Sequence, residues 1–125
     1  NKGRLVQAGR GILSKFRRAY RIRYLQAEQV RKHLDSSAYP TIITGDFNDV
    51  PNSYTYFTVK GDYQDAFVKK SWGLGRTFYF ISPTLRIDYI LPDKNFTVLQ
   101  YKRDLVPFSD HYPVIADIRF KESKP

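Results

Sequence analysis

The sequence predicts an α/β fold in which one mainly antiparallel sheet is covered by a long amphipathic helix. Three observations carry this expectation. Apolar residues recur at helical spacing from about Gly11 to Asp35, β-rich runs fill most of the chain after Thr41, and Pro-containing turns separate those runs. A length of 125 residues suits one compact domain with a single core. With 42% apolar and 16% aromatic residues, and charge interspersed throughout, the composition is that of a folded chain.

The elements follow in order. Leu13, Phe16, Tyr20, Tyr24, Ala27, Val30 and Leu34 advance by three or four residues, which sets them on one stripe of a helix over about 11–35. His33 lies near the end of that helix, where a cationic side chain suits the C-terminal dipole, and it is read as a surface residue. After Tyr39-Pro40, the β-branched run Thr41 to Thr44 reads as a buried strand closed by Gly45 and a polar loop. Asn52 and Ser53 can cap a short helix over Tyr54 to Val59 that Gly61 ends, and Tyr63 to Lys70 adds another helical turn. Strands are expected at Thr77 to Ile81, Arg86 to Leu91, Phe96 to Lys102 and Tyr112 to Phe120, between turns at Ser82-Pro83, Pro92-Asp93 and Val106-Pro107.

Composition narrows the chemistry. With no cysteine, the chain offers no disulfide, zinc-thiolate site or cysteine nucleophile. Its apolar runs are far shorter than the roughly 20 residues of a membrane-spanning helix, and Asn1 opens nothing like a signal peptide, so a soluble segment is expected. The start in mid-pattern without Met suggests a piece of a longer protein. The net charge is +9, and residues 1 to 36 hold ten Lys or Arg against two acids, Glu28 and Asp35, whereas the rest is nearly balanced. Such a helix face is ordinarily a solvated one; a phosphate-rich polymer or an anionic lipid surface is the alternative partner.

Three stretches set polar groups against β-rich segments. In Gly45-Asp46-Phe47-Asn48-Asp49, a carboxylate and a carboxamide emerge together where a strand ends. In Arg86-Ile87-Asp88-Tyr89-Ile90-Leu91, Arg86 and Asp88 share one strand face, and the plain alternative to a site is an ion pair between them. In Ser109-Asp110-His111-Tyr112-Pro113-Val114, a carboxylate and an imidazole stand side by side before the last strand.

Together, GDFN with Pro51 and Ser53 behind it, RIDYIL and SDHYPV resemble the C-terminal motifs of the endonuclease/exonuclease/phosphatase superfamily, over about Thr41 to Phe120. That superfamily includes base-excision endonucleases, secreted nucleases, bacterial sphingomyelinases and inositol-phosphate phosphatases. The resemblance implies the C-terminal half of a four-layer αββα sandwich, in one truncated domain over 1–125. It also implies roles. Asp46 would orient or deprotonate the attacking water or protonate the leaving oxygen, and Asn48 would hold a phosphoryl oxygen. Asp110 would lie at a divalent metal, Mg²⁺ or Mn²⁺. His111 would donate to a phosphate oxygen, with Asp88 accepting its other N–H. Phosphoryl transfer rests on positioning and on charge stabilisation, which these groups supply.

The family's first half brings a glutamate metal ligand, an asparagine and a further histidine, and none is identifiable here, Glu28 and Glu122 being the only glutamates. The expectation is therefore a fragment of a metal-dependent phosphoesterase, inactive alone and completed by a missing N-terminal half. Its substrate would be a phosphate ester, in a nucleic acid or a phospholipid, since RIDYIL departs from the tryptophan-cysteine-aspartate-arginine stretch of inositol phosphatases. The alternative is a non-catalytic module that keeps the fold and binds a phosphate polymer or a protein. A sheet built to pack on another sheet also allows a homodimer through its bare face.

Overall fold

The computed structural model describes residues 2–49, 51, 53–78 and 85–122. Helix α1 (Lys2–Asp35) leads to strand β1 (Ile42–Asp46), helices α2 (Tyr54–Lys60) and α3 (Ala66–Lys70), and strands β2 (Asp88–Pro92), β3 (Phe96–Arg103) and β4 (Val114–Phe120). β1 pairs antiparallel with β2, and β3 pairs antiparallel with β4 across a bulge between Val98 and Gln100. The α/β class with antiparallel pairing is as the sequence predicts. The single sheet is resolved into two two-stranded ladders among the described residues. Of the expected strand at Thr77 to Ile81, Thr77 and Phe78 are described and Phe78 makes an isolated bridge to His111; residues 79–81, with the Ser82-Pro83 turn, lie outside the described residues.

Helix α1 begins nine residues before the expected start. Gly3, Gly9 and Gly11 weaken a helix by about 1 kcal/mol each relative to Ala, whereas no proline interrupts the run. The helix covers the β1–β2 ladder with its C-terminal part, through Leu34. At 1.5 Å per residue, the 34 residues of α1 extend about 50 Å, far beyond the roughly 17 Å of a five-residue strand. Among the helix side chains described, those of residues 11–35, packing falls in the C-terminal part: Ala27 is 2% exposed and Leu34 sits on the core, while Phe16 of the same stripe is 67% exposed. No described helix is long and apolar enough to cross a membrane.

Two apolar clusters carry the packing. Tyr56, Tyr63, Tyr89 and Leu91 form one under Leu34, Ile43 and Phe47, joining α1, α2 and the β1–β2 ladder. Ala66, Phe67, Val98 and Tyr101 form the other, with Val114, Ala116 and Ile118, joining α3 to the β3–β4 ladder. Local signals set the short helices. Ser53 caps α2 by accepting the Tyr56 N–H, and the Gly61 N–H closes that helix on the Phe57 carbonyl. Asp65 caps α3 by accepting the Phe67 N–H, which places the start of that helix at Ala66 rather than near Tyr63.

Candidate active site

The site forms where the two ladders meet. Strand β1 runs through Gly45, contrary to the expected turn there, and ends at Asp46, which pairs directly with Asp88 at the start of β2. Beyond it Asn48 adopts φ +49°, a left-handed conformation that asparagine tolerates, and its N–H returns to Asp46 Oδ1 at 2.7 Å. The Phe47 N–H donates to the Ile87 carbonyl at 2.9 Å, so the loop after β1 is fastened to the segment before β2.

His111 enters from the segment before β4, where it bridges to Phe78. Its Nδ1 lies 2.8 Å from Asp88 Oδ2, and its Nε2 lies 3.7 Å from Asp46 Oδ2. The hydrogen bond to Asp88 raises the His111 pKa above the ordinary imidazole value. Partial burial opposes this, and the negative charges of Asp88, Asp46 and Asp110 add to it. Asp46, Asp88 and His111 each offer a ligand atom within 4.8 Å of the others, so the site holds an acidic and histidine group of the kind that can bind a metal. Asp110 adjoins His111 but lies outside that group; it is exposed and accepts the Ser109 hydroxyl at 3.2 Å. The Asn48 side chain is likewise exposed beside the group.

A hard divalent cation such as Mg²⁺ takes one or two carboxylates, water and substrate oxygens. Asp88 and His111 are engaged with each other, which leaves Asp46 as the carboxylate of the group free of that bond, with Asp110 next to the imidazole. These residues fit part of such a shell. Glu28 is not among them, since the Tyr54 hydroxyl on α2 donates to its carboxylate.

The Arg86–Asp88 ion pair does not form. Arg86 pairs instead with Asp65, Nη1 to Oδ2 at 2.7 Å, with both side chains buried. Tyr56 donates to the same oxygen at 2.8 Å, and the Arg86 guanidinium lies over the rings of Phe67 and Tyr89. The Tyr89 hydroxyl lies 2.7 Å from the Arg86 carbonyl and 2.9 Å from that of Asp49, which ties the Asp49 loop to the start of β2. Sequence reasoning missed Asp65 and Thr77 as supports of the site. Asp65 had a signal, a cap residue before Ala66-Phe67; Thr77 had none, because its partners are distant in sequence.

The Endonuclease/Exonuclease/phosphatase family matches residues 2–111, and the chain belongs to that family. No curated protein matches the chain. Among solved structures, an endonuclease/exonuclease/phosphatase family protein from Bacteroides thetaiotaomicron is 26% identical, with TM-score 0.64 over 82% of this chain and 46% of that one. A member from Bacteroides vulgatus is 25% identical, with TM-score 0.67 over 79% and 44%. A mannosyl-6-phosphatase from Bacteroides thetaiotaomicron is 27% identical, with TM-score 0.55 over 78% and 44%. The chain thus spans about half the length of the solved structures it matches.

Proposed function

We propose that this chain carries the phosphate-handling half of a divalent-metal-dependent phosphoesterase. The observation that supports this reading is the convergence of Asp46, Asp88 and His111, from three separate motifs, within 4.8 Å. Asp88 holds the His111 ring through Nδ1 and favours its charged form, so Nε2 is available to donate to a phosphate oxygen. Asp46, at the exposed end of β1, orients the attacking water or protonates the leaving oxygen. The Asn48 amide reaches a phosphoryl oxygen. Asp110 would help to hold Mg²⁺ or Mn²⁺, which when bound would neutralise developing charge on the phosphate and lower the pKa of a bound water.

The substrate in this reading is a phosphate ester. Likeness to a mannosyl-6-phosphatase adds sugar phosphomonoesters to nucleic acids and phospholipids as the classes to assay. The test compares the 125-residue chain with the same chain inside a complete domain of family length. Each is assayed with Mg²⁺ or Mn²⁺ on bis-p-nitrophenyl phosphate, mannose 6-phosphate, plasmid DNA and sphingomyelin, with Asp46→Ala as control. Metal-dependent turnover by the complete domain alone, lost in Asp46→Ala, is the expected result. Phosphate binding without turnover on any of these would favour a non-catalytic module.

A further inference from the structure

Thr77 is fully buried, at 0% exposure, and uses its polar groups on both sides of the seam between the ladders. Its hydroxyl oxygen accepts the backbone N–H groups of Ile87 at 3.0 Å and Asp88 at 3.2 Å. Its carbonyl accepts the N–H of Tyr112, the neighbour of His111, at 2.7 Å, and its own N–H donates to the Leu85 carbonyl at 2.9 Å. One residue therefore grips both the segment that presents Asp88 and the segment that presents His111. Beside it, Phe78 bridges to His111, and its ring meets the imidazole edge-on with centroids 4.9 Å apart.

We propose that Thr77 is a positioning residue that sets the alignment of the Asp88–His111 pair, with Phe78 fixing the plane of the imidazole. This rests on the reading of that pair as part of the phosphate site. The physical reason is the steep dependence of a hydrogen bond on distance and angle. A hydroxyl oxygen has two lone pairs and accepts two N–H groups at once. Valine reproduces the shape of threonine without them, so Thr77→Val leaves the buried N–H groups of Ile87 and Asp88 without their acceptor, and the backbone under Asp88 shifts to find another. Thr77→Ser keeps the oxygen and therefore keeps the pair.

The experiment is NMR of the imidazole nitrogens and of the hydrogen-bonded Nδ1 proton in the metal-free, isotope-labelled chain. Above the His111 pKa, wild type and Thr77→Ser are expected to show the neutral imidazole as one tautomer, protonated at Nδ1, with a slowly exchanging downfield proton. Thr77→Val is expected to lose that proton signal and to show mixed tautomers while the amide spectrum stays dispersed. A folded Thr77→Val with the wild-type imidazole signature overturns the proposal. Should that variant not fold, Phe78→Leu decides the matter: loss of the slow Nδ1 proton supports the positioning role, and its retention sinks it. Because no turnover is required, the role of Thr77 is tested even in a chain without phosphoesterase activity.

Discussion

Asp46 and Asp88 stand opposite each other as paired residues at one end of the β1–β2 ladder, and His111 reaches both unequally, 2.8 Å to Asp88 and 3.7 Å to Asp46. The shorter contact is a hydrogen bond and the longer is not. Asp88 therefore fixes the ring, and Asp46 keeps an exposed carboxylate turned toward the same space.

Titration of His111 follows from that contact. In metal-free buffer its pKa is expected above the ordinary imidazole value, falling toward it in Asp88→Asn, as read by imidazole NMR. Because the folded pKa is the higher one, the charged pair adds stability that is fully present below the unfolded pKa and is lost as pH rises through the folded pKa. The stability difference between wild type and Asp88→Asn should thus be largest between the carboxylate range, near about pH 4, and the ordinary imidazole pKa, and should shrink above it. Identical His111 titration in the two proteins would refute the pairing.

The buried Arg86–Asp65 pair makes a sharper stability claim. Asp65 takes the guanidinium, the Tyr56 hydroxyl and the Phe67 N–H, so removing it strands a buried cation and an N-terminal N–H together. Asp65→Ala should cost about 3–5 kcal/mol in urea unfolding. Adding Arg86→Met should return part of that loss, since no charge is then left unpaired. Additive costs in the double-mutant cycle would mean that the two side chains are not coupled.

Tyr101 behaves oppositely. Its hydroxyl is buried without a hydrogen-bond partner among the described residues, and burial pushes its pKa up to about 12. Tyr101→Phe keeps the ring on Phe67 and removes the stranded hydroxyl, so a gain of about 1 kcal/mol is expected. A destabilised Tyr101→Phe would reveal a partner for that oxygen.

Gly75 has φ +63° and lies against the Phe67 ring, where an added Cβ would clash. Gly75→Ala combines a left-handed alanine, at about 1–2 kcal/mol, with overpacking of about 1–3 kcal/mol. Thermal unfolding indistinguishable from wild type would show that the Phe67 ring can move aside.

Much of this was legible in the residues. The helical stripe, the β-branched runs and the Ser53 and Gly61 signals are local, and local propensity locates such elements. So too for the site, where Asp46, Asp88 and His111 each sit in a distinct motif. The rest depended on tertiary contact. Helical spacing placed Phe16 and Ala27 on one stripe but could not tell that only Ala27 would find a neighbour. Nor does alternation along 86–89 reveal that Arg86 turns to Asp65, 21 positions away, rather than to Asp88. The division into two ladders escaped for a similar reason, because strand-like patterning does not name its partner.

The register that sets Asp46 against Asp88 has a consequence for that end of the ladder. Like charges directly opposite each other weaken an antiparallel pair, so the β1–β2 ladder carries repulsion at the end that holds the site. The imidazole of His111, from the segment before β4, stands against both carboxylates and offsets that repulsion when it is protonated. Without that imidazole, two carboxylates would stand opposed at the end of the ladder.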